Sequence, residues 1–308
     1  MEEFLVSMKF KTIAIAVAVV MVLTVFAPVI YGIEDSIKSE DIEDILAEEN
    51  QSGEEQALEE ETAIEDILIL GEDISKRELD TKYFVLENGA EIAAIYPYNV
   101  HYEKEDGKLE NIDNSLQNTK DEEKEDVLAN KANGFDVKFA KKSNKNKLIS
   151  MKSKEYKLDW SLQGANKVEA KTSIPKKDKK LLLDIKERNA EKMTVDNLLS
   201  TITYEEILNK VDLQYDMQAD VIKESIILKD KEAIKNNFVF NLDTGKLKAY
   251  KTEANEIIVY DGDKENIVYI MNPMFMFDSN QEYSDKVEMV LEETKNKGYT
   301  LTIIPDKQ

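Results

Sequence analysis

The chain has 308 residues, 42% of them hydrophobic and 34% charged, and a net charge of −22. That length allows one or two domains with a sizeable core, and the high charge places part of the chain outside it. The acidic balance excludes a nucleic-acid partner, which needs clustered Lys and Arg; the lack of Cys excludes disulfides and thiolate metal sites; and the single His101 must serve any Ser-His-Asp arrangement alone.

At the N-terminus, Lys9 and Lys11 precede an uncharged, largely apolar run of 16 residues from Thr12 to Ala27, followed by Pro28 and Gly32. This basic, apolar and small-residue order is that of a secretory signal, so residues 1–32 are expected to form a signal helix that meets the membrane only before cleavage. Met8 is the better start, because the preceding "MEEFLVS" adds two acids where bases are usual. An uncleaved anchor is the other reading. The run is short of the roughly 20 residues a span requires, and Pro28 ends it, which favours cleavage.

Composition changes sharply from Glu34 to Glu78, where 18 acids face three bases (Lys38, Lys76 and Arg77), a net of −15. "IEDIL" occurs at Ile42–Leu46 and again at Ile64–Leu68. Each copy can gather its apolar residues on one helical face, which suggests short docking helices. The dominance of like charge favours an acidic linker over 33–78, disordered or partly helical.

Residues 79–308 change to period two. In "EYKLDWSL", Tyr156, Leu158, Trp160 and Leu162 share one side, and "NFVFNL", "EIIVYD", "NIVYIM", "VEMVLEE" and "YTLTII" repeat the pattern. Asn88-Gly89, Asp106-Gly107, Thr244-Gly245, Asp261-Gly262 and Lys297-Gly298 supply turns between them. The fold class is therefore mainly β: an antiparallel, sandwich-like module with one or two short helices. "AEKMTVDNLLSTITYEEIL" is the main helical candidate. "PKKDKK", Pro175–Lys180, reads as an exposed loop, with a division into two lobes near 173–195.

The carboxylates of "VDLQYDMQADVIKESIIL" raise the question of a metal or acid/base site. Val211, Leu213, Tyr215 and Met217 alternate with Asp212, Gln214 and Asp216, so this half is a strand, and Ala219-Asp220 turns it into the returning "VIKESIIL". On a strand, Asp212 and Asp216 share a face about 13 Å apart, too far for one metal or a catalytic pair. Asp212, Asp216 and Asp220 thus stay weak metal candidates, and the hairpin is the preferred reading. His101 lies on a strand beside the Glu105-Asp106-Gly107 turn. No GxSxG setting or Gly-rich phosphate loop accompanies it, so a surface or sheet-face histidine is preferred to a general base, and no cofactor is expected. Trp160 is a weak candidate for sugar stacking. Its phase with Leu158 and Leu162 places it on the apolar face instead.

In order along the chain, "HYEKEDGKLENIDNSL", "NKANGFDVKFAKKSNKNKLISMKSKEYKLDWSLQGANK", "TYEEILNKVDLQYDMQADVIKESIIL", "FVFNLDTGKL" and "LEETKNKGYTLTIIPDK" resemble one module. It precedes DNRLRE domains and RHS (YD) repeats in secreted, wall-associated proteins of Gram-positive bacteria, and the likeness spans about Leu79 to Lys307. The resemblance implies a β-rich, non-catalytic surface module with a structural or interaction role. Cell-wall polymer or other surface proteins would be its partners, with DNRLRE/RHS domains downstream in full-length relatives. A glycan- or wall-polymer-binding module is the alternative, and a carboxylate-dependent hydrolase comes third. Leu109 stands where such modules usually have Trp, Asn209 where Pro is frequent, and Asn272-Pro273-Met274 where "PAP" is common. Relatives continue past "IPDK", which implies a truncated or short member. The uncharged run "YTLTII" would then be left as an open sheet edge that promotes pairing between chains.

Overall fold

The computed structural model describes residues 17–23 and 68–306, apart from 144–146, 174–191, 194, 236, 281 and 296–297. Strands make up 58% and helical turns 4%, and no helix among the described residues reaches seven residues, so the fold is mainly β. In chain order the strands are β1 (Val17–Leu23), β2 (Ile69–Glu72), β3 (Thr81–Leu86), β4 (Glu91–Ile95), β5 (His101–Glu103), β6 (Leu109–Asn111), β7 (Asp113–Lys120), β8 (Asp126–Ala132), β9 (Asp136–Ala140), β10 (Ile149–Ser153), β11 (Tyr156–Leu162) and β12 (Ala170–Ser173). They continue as β13 (Leu199–Leu208), β14 (Val211–Gln218), β15 (Val221–Leu228), β16 (Phe238–Asp243), β17 (Lys248–Lys251), β18 (Ile257–Tyr260), β19 (Ile267–Met271), β20 (Phe275–Phe277), β21 (Tyr283–Ser284), β22 (Val287–Glu293) and β23 (Tyr299–Pro305).

Two large antiparallel sheets carry the fold. One is ordered β12-β13-β14-β15-β1-β20-β21 and the other β22-β23-β16-β11-β10-β9-β8-β7. The two-residue period explains their shared core. On β14, Val211, Leu213, Tyr215 and Met217 are buried, and on β11 so are Leu158, Trp160 and Leu162; all belong to one apolar cluster. The Trp160 and Tyr215 rings lie edge to face across it, 6.4 Å apart. Sheet β17-β18-β19 joins the same cluster through Ile257, Val259 and Tyr269, whose hydroxyl donates to the Tyr156 carbonyl at 2.9 Å.

Sheets β2-β3-β4 and β5-β6 are smaller. Ile69, Phe84 and Leu86 form the core of the first, while Val100, Ile112 and Leu198 bury the region beside β5–β6. The turns fall at the expected dipeptides: Gly89 closes β3–β4 and Gly107 closes β5–β6, at φ 81° and 79°, where a Cβ would be strained. Gly298 serves differently, for a Cβ there would sit 2.5 Å from the Leu242 carbonyl oxygen, so its bare backbone lets the β22–β23 turn approach β16.

Two expectations, a helix at 190–208 and an open edge at "YTLTII", are corrected. The helical candidate at 190–208 supplies β13 instead. Thr201, Ile202, Thr203 and Tyr204, β-branched or aromatic, pair in register with β14, and tertiary pairing overrides the helical pattern. Most of the stretch 173–195, where a lobe division is expected, lies outside the described residues; β12 before it and β13 after it are paired neighbours in one sheet. Of the linker expected over 33–78, residues 68–78 are described: β2 pairs with β3 there, and Ile69 is buried. The signal helix expected over 1–32 lies mostly outside the described residues, of which Val17–Leu23 pairs with β15 and β20. "YTLTII" is not an edge either: β23 lies between β22 and β16, leaving the charged "VEMVLEE" outermost. The remainder of the signal, most of the acidic linker and "PKKDKK" lie outside the described residues.

Candidate functional site

The most chemically distinctive centre lies between the sheets. Tyr215 on β14 stands opposite Glu224 on β15, and Trp160 reaches both from β11. Trp160 Nε1 donates towards the Tyr215 hydroxyl at 3.4 Å and Glu224 Oε2 at 3.3 Å. Glu224 is 1% exposed, and its Oε1 has no partner. Burial penalises the carboxylate and pushes its pKa up to about 7, against the opposing hydrogen bonds of Tyr215 and Trp160. Burial likewise lifts the Tyr215 hydroxyl well above the ordinary tyrosine value. This is a protonatable acid sealed in a core. The indole is 4% exposed, so its faces pack against protein rather than meeting a sugar ring.

His101 occupies a second cluster. Its Nδ1 donates to the Glu78 carbonyl at 2.6 Å, which leaves Nε2 as the lone-pair nitrogen, 3.5 Å from Glu72 Oε1. Arg77 grips Glu72 through Nε at 2.6 Å and Nη2 at 3.2 Å, while Lys82 Nζ stands 3.7 Å from Glu72 and donates to Asn111 Oδ1 at 2.9 Å. Burial lowers the His101 pKa, against the pull of the Glu78 carbonyl, so the ring is neutral at pH 7. Burial opposes ionisation of Glu72, yet Arg77 and Lys82 hold its pKa below the usual glutamate value. Arg77 Nη1 also donates to the Leu109 carbonyl at 3.1 Å. The cluster therefore binds sheet β2-β3-β4 to the β5–β6 hairpin. His101 is 1% exposed, so it is a buried linchpin of these sheets rather than a surface residue.

The three aspartates are not brought together. Asp212 accepts from the Glu206 amide at 2.6 Å and from Lys229 Nζ at 2.7 Å. That pins the bulge in β13, where Glu206 holds φ 53°. Asp216 accepts from Thr201 Oγ1 at 2.6 Å, and Asp220, in the β14–β15 turn, accepts from Asn99 Nδ2 at 2.8 Å. No group of three His, Cys, Asp or Glu that could hold a metal occurs among the described residues.

Sequence reasoning missed Glu224, the Glu72–Arg77–Lys82 group and Asn114. Asn114 is fully buried and donates to the Leu198 carbonyl at 2.9 Å and the Ala219 carbonyl at 2.8 Å, tying β7 to the start of β13 and the β14–β15 turn. A signal for Glu224 existed, because it falls in phase with Ile222, Ile226 and Leu228 on the apolar side of its strand.

An open groove of 760 Å³ runs along the rim where β7 and β8 approach β12. Lys141, Lys142 and Lys167 line it together with Glu125, Asp126 and Glu169, and Lys142 pairs with Glu169 at 3.1 Å. No family model matches the chain, and no curated protein or solved structure matches it either.

Proposed function

We propose that the chain is an exported, non-catalytic module of a wall-associated surface protein, of the kind that precedes DNRLRE and RHS repeat regions, with a structural or interaction role. The observation that carries this reading is the use made of the distinctive side chains. Trp160, His101, Asp212, Asp216 and Asp220 each hold strands, turns or sheets to one another. The apolar run after Lys9 and Lys11 supports export, and the five ordered segments between Leu79 and Lys307 support the family. A carboxylate-dependent hydrolase is the weakest reading, because the three aspartates have separate partners rather than a shared one.

The groove beside β12 favours one second reading, a binding module for a cell-wall polymer, with Lys141 and Lys167 as the cations that would meet it. Co-sedimentation with purified cell wall separates the two. The structural reading expects the same weak retention for the native chain and for Lys141→Glu/Lys167→Glu. Strong retention that this charge reversal abolishes would move the assignment to polymer binding.

A further inference from the structure

The β14–β15 hairpin and the β20–β21 pair belong to one sheet only because a single strand stands between them. That strand, Val17–Leu23, pairs antiparallel with β15 over seven positions, from Val17↔Leu228 to Leu23↔Ile222, and with β20 over three. Strands in a sheet lie about 4.8 Å apart, so β15 and β20 frame a slot one strand wide, about 10 Å across. Its walls are apolar on the core side: Ile222, Ile226 and Leu228 of β15 and Met276 of β20 are buried. The occupant, VAVVMVL, carries no charge, as suits a strand flanked on both sides.

From this geometry we infer that the space between β15 and β20 is a strand-acceptor site, filled by residues 17–23 in the chain that keeps its N-terminus and by an uncharged, apolar, extended segment of a partner polypeptide once that N-terminus is removed. The inference deepens the export reading, which supplies the removal. Strand addition of this kind draws affinity from main-chain hydrogen bonds and selectivity from alternate side-chain pockets. A partner polypeptide is the occupant because the described chain has no spare strand of the right kind. Of the uncharged strands, β18 and β23 are internal to their sheets, and β19, outermost in its own, is packed into the core through Val268, Tyr269 and Met271; the outer strand β22 carries Glu288, Glu292 and Glu293. A second copy of the chain would offer the same strands, each already committed to its own sheet and core.

The test uses the full chain with Val20→Pro, since Val20 pairs on both sides, with Ser225 and Phe275, and proline cannot donate to a ladder. The probe is a synthetic peptide of residues 17–23 with two lysines at each end; the control carries Asp at its centre. Amides of β15 that face the slot are expected to exchange about ten-fold faster in Val20→Pro than in the native chain, and the probe, but not the control, restores their protection. Unchanged exchange in the variant, or a probe that restores nothing, overturns the inference. If Val20→Pro fails to fold, cross-linking decides. The chain has no native Cys, and directly opposed residues such as Val20 and Ser225, or Val19 and Ile226, lie within disulfide reach. Intramolecular disulfides in these double-cysteine variants support the slot; disulfide-linked dimers, or none, contradict it. Neither measurement depends on whether the chain is exported, so failure here leaves that reading to its own test.

Discussion

Replacing Glu224 by Gln should stabilise the protein in a pH-dependent way. Its carboxyl titrates at about 7 in the fold against an ordinary 4.5, because burial beside Trp160 and Tyr215 penalises the charge. A group whose folded pKa is raised contributes its full stability below the unfolded value and loses it as pH climbs through the folded value. The penalty therefore grows between about pH 4.5 and pH 7 and is constant above. The difference of about 2.5 pKa units corresponds to about 3 kcal/mol, since one unit is about 1.4 kcal/mol. Gln keeps the shape and an oxygen that can accept from Trp160 and Tyr215, but cannot ionise. Urea unfolding of native and Glu224→Gln protein at about pH 4 and about pH 8 reads the effect. The variant should gain about 3 kcal/mol relative to the native chain on moving from the lower to the higher pH. Parallel stability at the two values would refute the reasoning, because it would mean that the buried carboxylate carries no charge penalty.

Asn114→Ala should cost about 2 kcal/mol, as the Leu198 and Ala219 carbonyls lose a buried donor, and denaturant unfolding would show it. Gly298→Ala should lower the thermal midpoint, since its Cβ would meet the Leu242 carbonyl oxygen at 2.5 Å and force β22–β23 off β16; an unchanged midpoint would mean the turn yields without cost. Trp160→Ala should cost about 3–5 kcal/mol through the cavity it leaves, with the folded native protein showing the blue-shifted emission of a buried indole, its only tryptophan. Emission typical of exposed tryptophan in the native chain would contradict the core placement.

Much of the sheet architecture was legible because period two is hard to imitate. The turn dipeptides Asn88-Gly89 and Asp106-Gly107, and the alternation through "VDLQYDMQ", specify hairpins locally, and the structure places strands there. The stretch 190–208 misled because its acids and leucines fit a helix while its Thr-Ile-Thr-Tyr centre fits a strand; a partner 15 residues away, Asp216 opposite Thr201, decides between them. The ion group at Glu72, Arg77, Lys82 and His101 joins residues spread over three strands and a loop, and no local pattern announces it. The edge expected at "YTLTII" from the missing continuation is not there, because strand order is set by pairing with β16, about 60 residues earlier in the chain, which local pattern cannot supply. Glu224 is the instructive case. Its position in the alternation was visible, yet its meaning depends on Trp160 and Tyr215 arriving from other strands.

Export is the claim on which the proposed role rests, and the start of the mature chain tests it most directly. With the chain expressed in a Gram-positive host, N-terminal sequencing of the protein recovered from the medium and the wall fraction should show a first residue shortly after Gly32. Recovery only from membranes, with the N-terminus still at Met1 or Met8, would contradict the account.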